Sequence, residues 1–273
     1  MECGGSGFGC CSLEIQKNLI TYFNQEWLAL REFKNNLSIQ LKVWLRALVR
    51  DPKQFFRNRD ICECSSCGYK GFFATAPKGH VHAAFRCPNC ESRPRDRNIA
   101  LFFQKNALSF DEKNILHIAP EWPLFRQLKT EPGYVGGDIQ KRRNANSIVD
   151  ITSINFDANH FDFLICNHVM EHVQDDKKAM GECHRVLKNG GIAIFSVPLS
   201  GKPETWEPPA GMSVPEIEAI VGWDHKRYYG YDFAEKLEKF GFKVEIFKIT
   251  EAEAKLHGIA SGDFNDEIFI AKK

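Results

Sequence analysis

The chain has 273 residues, enough for one well-buried α/β domain with a small appendage. Its formal net charge of +1, with 26% charged residues, excludes a global field that would draw the whole molecule onto nucleic acid or an anionic membrane. No run approaches the roughly 18 apolar residues of a membrane span, and the opening MECGGSGFGCC lacks the regions of a secretory signal, so a cytoplasmic location is expected.

Residues 1–12 read as a disordered leader, and Glu2 breaks the N-myristoylation pattern. From 13 to 60 the apolar residues recur at helical spacing, with Leu37, Leu41, Trp44, Leu45 and Leu48 on one face of an amphipathic helical segment. From Arg31 to Asp60 eight basic residues (Arg31, Lys34, Lys42, Arg46, Arg50, Lys53, Arg57 and Arg59) stand against three acidic ones (Glu32, Asp51 and Asp60). The expectation is a helix packed on its own protein with its cations in water; a phosphate-rich partner or membrane surface is the alternative.

Residues 61–95 hold five of the ten cysteines and too few large apolar side chains for a core of their own, so a metal must hold them. Cys64 and Cys67 form one CxxC pair, Cys87 and Cys90 a second, and nineteen residues separate the pairs. That interval lies within the roughly 15 to 20 expected between two metal knuckles. Four thiolates suit structural tetrahedral zinc and leave no open coordination position; iron in a rubredoxin-like site needs the same spacing. Cys62 is a spare, and His80 and His82 between the knuckles read as loop residues.

From residue 96 to the end, strand and helix signals alternate. A helix is predicted through Ile99–Ala107, a strand at 114–118, a helix at 123–129, and strands at 134–135, 147–149 and 161–166. A helix over Asp175–Leu187 opens on acids and is expected to stop at Asn189, Gly190 and Gly191 before the strand IAIFSV. A helix ending near Phe240–Phe242 and strands at 243–250 and 267–271 complete the chain. Such alternation implies a parallel sheet with helices on both faces and ligand loops at the carboxyl ends of its strands. The proline- and glycine-rich segment 199–222 reads as a substrate loop or lid.

Three strand ends carry the site chemistry. LHIAPE ends at Glu121, Asp138 follows Ala119 by nineteen residues, and Asp150 with Ile151 comes next. An acid about 20 residues after the first loop reaches ribose hydroxyls in nucleoside-binding folds, because a carboxylate accepts both hydroxyl protons.

The stretches CPNCESRPRDR, LHIAPE, YVGGDI, VDIT, FDFLICNHVMEHV, RVLKNGG and WDHKRYYGYDFAEKLEKFGF together resemble the class I, type 11 methyltransferases, especially a subgroup with an N-terminal zinc ribbon. The resemblance implies a Rossmann-like seven-stranded sheet with an antiparallel last strand over 96–273, and S-adenosylmethionine as cofactor. It places Ala119, Pro120 and Glu121 toward the methionine part, Asp138 with Ile139 at the ribose, Asp150 and Ile151 at the adenine, and Asn167 with His168 on the far side. The usual glycine-rich first loop is replaced here by His117, Ala119, Pro120 and Glu121.

Methyl transfer to oxygen or nitrogen gains from a base tuned near neutral pH, and His168 and His225 are the candidates. Asp224, His225 and Arg227 are expected to bind an anionic part of the acceptor. Glu171 and His172 read as a capping and packing pair; they also resemble an EH pair that ligates a divalent metal in some methyltransferases of ubiquinone biosynthesis and of small-RNA ends. The leading reading is methylation of a small molecule or glycan. The alternatives are a nucleic-acid methyltransferase gripping phosphates through ribbon and basic helices, and a non-catalytic protein that keeps the cofactor fold.

Overall fold

A computed structural model describes residues 60–73, 86–259 and 267–273, together with Leu41 and Leu45. The chain divides into two compact units, 1–58 and 59–273. Of the first, only Leu41 and Leu45 are described, both helical and exposed; the leader and the rest of the amphipathic segment lie outside the described residues. Among the described residues no helix is long and apolar enough to cross a membrane.

The second unit opens with a short hairpin of β1 (Cys62–Glu63) and β2 (Lys70–Gly71), antiparallel with Cys62 opposite Gly71. Helix α1 (Pro94–Lys105) follows, starting on a proline whose missing N–H is one of the donors a helix start leaves unpaired anyway. Then come β3 (Ile115–Ile118), α2 (Trp122–Leu128), β4 (Tyr134–Asp138), β5 (Ser147–Ile148) and β6 (Phe161–Asn167). A 3-10 turn at Met170–His172 leads to α3 (Asp176–Val186) and β7 (Leu187–Ser196). The chain finishes with α4 (Val214–Val221), α5 (Phe233–Glu238), β8 (Lys243–Phe247), α6 (Glu251–His257) and β9 (Ile268–Lys272).

Seven strands form one sheet in the order β5-β4-β3-β6-β7-β9-β8. All pairs from β5 to β7 are parallel, and β9 runs antiparallel to both β7 and β8. Alternate side chains leave opposite faces of a strand, and the core divides accordingly. Ile115, Phe163, Ile165, Ile194, Ile268 and Ile270 pack with Ile99, Phe102 and Phe103 of α1 and Leu124 and Leu128 of α2. On the other face Leu116, Ile118, Leu164, Cys166, Phe195 and Phe269 pack with Ala179, Met180 and Cys183 of α3 and with Phe233 and Leu237 of α5.

Several predicted boundaries move, two of them for a clear physical reason. The strand at 134 extends through Gly136 and Gly137 to Asp138; a Cβ on Gly137 would stand 2.7 Å from Val149, so the bare backbone lets the two segments meet. Helix α3 ends at Val186 and not at Asn189–Gly191. Leu187 is drawn into the core and already pairs with Phe161, and the next residues form a bulge before Ile192 pairs with Phe163.

Candidate functional site

The direction in which the chain travels across the sheet reverses at β3: β4 and β5 lie to one side, β6 and β7 to the other. Open α/β sheets bind ligands in the crevice outside the strand ends at such a reversal. Here the two loops at that point both contain a side-chain-bearing residue in the left-handed region, Ala119 at φ 45° after β3 and His168 at φ 52° after β6. Such backbone is held in place by its surroundings and gathers at sites where it serves function.

The first loop is braced from below. His117 is wholly buried; its Nδ1 lies 3.0 Å from the Tyr134 hydroxyl and its Nε2 3.0 Å from Glu121 Oε2. The imidazole can accept from Tyr134 at one nitrogen and donate to Glu121 from the other, fixing the carboxylate at the start of α2. Burial, with the Glu121 charge, pushes the Tyr134 phenol up, so it stays protonated. The Ala119 N–H donates to the Gly137 carbonyl at 2.7 Å, and the Asn144 side-chain amide donates to the Pro120 carbonyl. Asp96 in the first turn of α1 is pushed up to about 6, first by burial and next by the Glu121 charge.

Of the other expected cofactor residues, Asp138 is 4% exposed at the end of β4, where its Oδ1 accepts from the Gln140 N–H and its Oδ2 pairs with Arg142 at 3.1 Å. Ile139 beside it is 66% exposed. Asp150 is exposed and accepts from both the N–H and hydroxyl of Thr152 at 2.8 Å, as a turn acid does. Ile151 turns into the core with Val149 and Ile154, while Ile139 beside Asp138 and Ile148 opposite it in the sheet are exposed. At the end of β6 the Asn167 carbonyl oxygen accepts from the Ser196 hydroxyl, while its buried amide nitrogen has no hydrogen-bond partner.

The second loop brings together more than the sequence predicted. His168 Nδ1 stands 3.4 Å from Glu171 Oε1, and Glu171 is 1% exposed. The imidazoles of His172 and His225 meet edge to face with centroids 4.8 Å apart. Burial alone would raise the Glu171 carboxyl, but His168 and His172 outweigh it and hold it below the usual range. Burial pushes the His225 imidazole down, with His172 adding to that and Glu171 opposing it.

Arg227 corrects an expectation. Its side chain is 5% exposed and is spent inside the protein, on Glu207 at 3.0 Å and on the carbonyls of Val173, Gln174 and Met170. It ties the 223–229 segment to the turn after β6 and leaves little of its surface to an acceptor molecule. The Lys226 N–H donates to the Glu171 carbonyl at 2.7 Å and closes the same seam. Asp224 remains exposed, so of the three predicted acceptor residues only Asp224 and His225 stay within reach of this loop.

The cysteine unit is a second site. All four sulfurs of Cys64, Cys67, Cys87 and Cys90 lie within 4.8 Å of one another, with Cys64 to Cys90 at 3.6 Å and Cys67 to Cys87 at 3.7 Å. Disulfide sulfurs would be about 2.05 Å apart. Zn–S bonds of about 2.3 Å give tetrahedral edges near 3.8 Å, so the donor set is compatible with a zinc site. The knuckles repeat one geometry: the residue after each second cysteine, Gly68 (φ 71°) and Glu91 (φ 67°), is left-handed and donates its N–H back to the first cysteine's carbonyl. Hydrogen bonds among the clustered sulfurs hold Cys64 down and push Cys87 up. Cys62 points away, toward the Lys255 and Asp60 carbonyls. His80 and His82 lie outside the described residues.

The signals for Tyr134, Arg142, Asn144 and Ser196 were absent from the sequence, since each acts through a partner distant in the chain. His117 and Glu121, four residues apart across a loop, had only their spacing to offer.

Residues 136–195, from within β4 to the end of β7, match the family model of a methyltransferase domain. That segment contains Asp138, Asp150, Asn167, His168 and Glu171. No curated protein matches the chain. Similar solved structures include phosphoethanolamine N-methyltransferase 2 of Haemonchus contortus in complex with S-adenosyl-L-methionine, at 16% identity over 65% of this chain and TM-score 0.45. This chain covers 52% of that protein, about half its length. A SAM-dependent methyltransferase from Archaeoglobus fulgidus is 17% identical, with 64% of this chain and 93% of that one covered and TM-score 0.46. A possible histamine N-methyltransferase from Thermotoga maritima is 18% identical, with 63% and 87% covered and TM-score 0.44. The strand order and the single antiparallel strand make the sheet the expected Rossmann-like methyltransferase fold.

Proposed function

We propose that this chain is an S-adenosylmethionine-dependent methyltransferase acting on a small molecule or glycan, and that the methyl group passes to oxygen or nitrogen. The observation that carries the reading is the crevice at the β3/β6 reversal, where the methyltransferase-domain match coincides with a buried acid and an unpartnered buried amide. Both are features a bound polar ligand accounts for: Asp138 can take ribose hydroxyl protons once Arg142 swings aside, and the Asn167 amide has a donor to give. We assign Glu121, whose carboxylate is fixed by His117, to the ammonium group of the cofactor.

The cofactor supplies an electrophilic methyl group on a sulfonium. The protein's part is to hold the acceptor atom in line at near-attack distance, which is worth up to about 7–11 kcal/mol. We assign His168 as the base: it sits at the end of β6 with Glu171 Oε1 beside its Nδ1, an orienting carboxylate for the proton it takes up. Acceptor binding falls to the 199–225 segment. Trp206 is anchored by backbone pairing with Tyr228, whereas Trp223 is 81% exposed and offers a face on which a sugar or aromatic ring can stack. The four-cysteine cluster we assign to structural zinc; thiols in that state fit a reducing compartment such as the cytoplasm.

Calorimetry with S-adenosylmethionine and S-adenosylhomocysteine, and NADH as control, tests the reading. Micromolar binding of the first two is expected, and Asp138→Ala should weaken it about 10- to 100-fold, the worth of a charge-assisted hydrogen bond. Equal binding of NADH, or none of any ligand by metal-loaded protein, overturns it.

A further inference from the structure

Glu171 sits in the 3-10 turn after β6 and is 1% exposed. Both its carboxylate oxygens are buried without a well-formed hydrogen bond, the nearest group being His168 Nδ1 at 3.4 Å. A carboxylate taken out of water needs a counter-charge. One ligand atom each from Glu171, His172 and His225 lies within 4.8 Å of the other two. The Nδ1 of His225 is likewise buried with no hydrogen-bond partner.

The third observation is how His172 is held. Its Nδ1 lies 3.1 Å from the Asp224 carbonyl, so the N–H there donates to backbone and the bare Nε2 is turned to the Glu171 side, 3.9 Å from Oε1. Metal-ligating histidines are fixed in this manner, one ring nitrogen on a carbonyl and the other on the ion. The seam made by Arg227 and the Lys226 N–H holds the two histidine-bearing segments together, so the donors converge before any ligand arrives. Other charges facing the cluster are Asp224, 3.7 Å from His172 Nδ1, and Lys226, which is paired with Asp224 at 3.4 Å.

We propose that Glu171, His172 and His225 bind a divalent first-row transition ion, distinct from the four-cysteine site. Two imidazoles and one carboxylate favour ions such as Mn²⁺, Fe²⁺, Co²⁺ or Zn²⁺ over Mg²⁺, which prefers oxygen donors and water. Metal bonds of about 2.0–2.2 Å draw the three atoms together by about an ångström, and His172, 37% exposed in its side chain, has room for that movement. Three protein ligands leave positions open to solvent or to an oxygen of a bound molecule, such as a hydroxyl or carboxylate. The site stands on its own geometry and not on the methyl-transfer reading.

The test uses the full chain with its cysteine cluster already filled with zinc, and no cofactor or acceptor. Mn²⁺ is titrated with loss of the free-ion paramagnetic resonance signal as readout, and Co²⁺ by visible absorption. The expected result is one further equivalent per chain, with weak nitrogen/oxygen-type cobalt bands and no sulfur charge-transfer band. His172→Ala and His225→Gln should each weaken that equivalent at least about tenfold while zinc content stays at one per chain. Glu171→Gln, which keeps the shape of the side chain, should do the same. The proposal fails if the wild-type chain takes up no second equivalent of either ion at millimolar concentration, or if the second equivalent survives in the folded His172 and His225 variants. Cofactor calorimetry on the same samples separates that failure from failure of the methyltransferase reading.

Discussion

Ala119 shows how one residue type keeps a loop alive without the glycine expected there. Its φ of 45° is a conformation that glycine adopts freely and that costs an alanine about 1 kcal/mol or more. Ala119→Gly should therefore leave cofactor binding intact and not destabilise the fold. Ala119→Val, β-branched at positive φ, should cost about 1–3 kcal/mol and weaken binding; denaturant unfolding and calorimetry on the pair distinguish the two. Asp96 gives a prediction in pH. Its folded value of about 6 lies above the ordinary 3.8, so the native state holds the extra proton between these values. The stability this lends is fully present below about 3.8 and is lost as pH rises through about 6. Asp96→Asn should gain on the wild type across that window by about 3 kcal/mol and hold a constant difference above it, as followed by urea unfolding at a series of pH values.

Among the elements, the strands were legible where both faces of the sheet bury apolar residues. FDFLIC and IAIFSV could be little else, and Ile115–Ile118 and Ile268–Ala271 carried the same signal. Legibility failed where tertiary contact overruled local pattern. The glycines after α3 looked like a helix stop, but the burial of Leu187 decided the boundary. In the site, the acids at strand ends and the CxxC pairs were readable from spacing. Arg227 was not, because nothing local shows that its guanidinium is consumed by three carbonyls of another segment. Glu171 was obscure for the opposite reason: only the fold shows that its carboxylate is buried beside His168 without a well-formed hydrogen bond.

The ribbon is joined to the rest of its unit through polar ties that converge on Arg97. That residue donates to the Ser92, His257 and Gly258 carbonyls and stacks over Phe73 at 4.7 Å. Ser65 donates to the Arg97 carbonyl at 2.6 Å, Gln104 to the Ser65 carbonyl at 2.8 Å, and His257 pairs with the Glu63 carbonyl at 2.8 Å. Chelator treatment of chain loaded with zinc at the proposed four-cysteine site should therefore lower the melting temperature of the whole 59–273 unit in one transition. Two separate transitions would show the ribbon to be energetically independent. Arg97→Met should reproduce part of the loss with the metal still bound, at about 3–5 kcal/mol, since it strands buried carbonyls that now have a charged donor.

At the scale of the molecule, β9 has a position that its place in the sequence conceals. It lies inside the sheet, with β7 on one side and β8 on the other, and among the described residues β8 pairs with no other strand. As the chain emerges in order, β8 is made first and must wait as an unpaired strand until β9 follows and supplies both ladders. A chain interrupted before Ile268 would thus expose two strand edges at once, those of β7 and β8. Quality control in the cell would meet such a fragment as an aggregation-prone species and not as a slightly shortened enzyme.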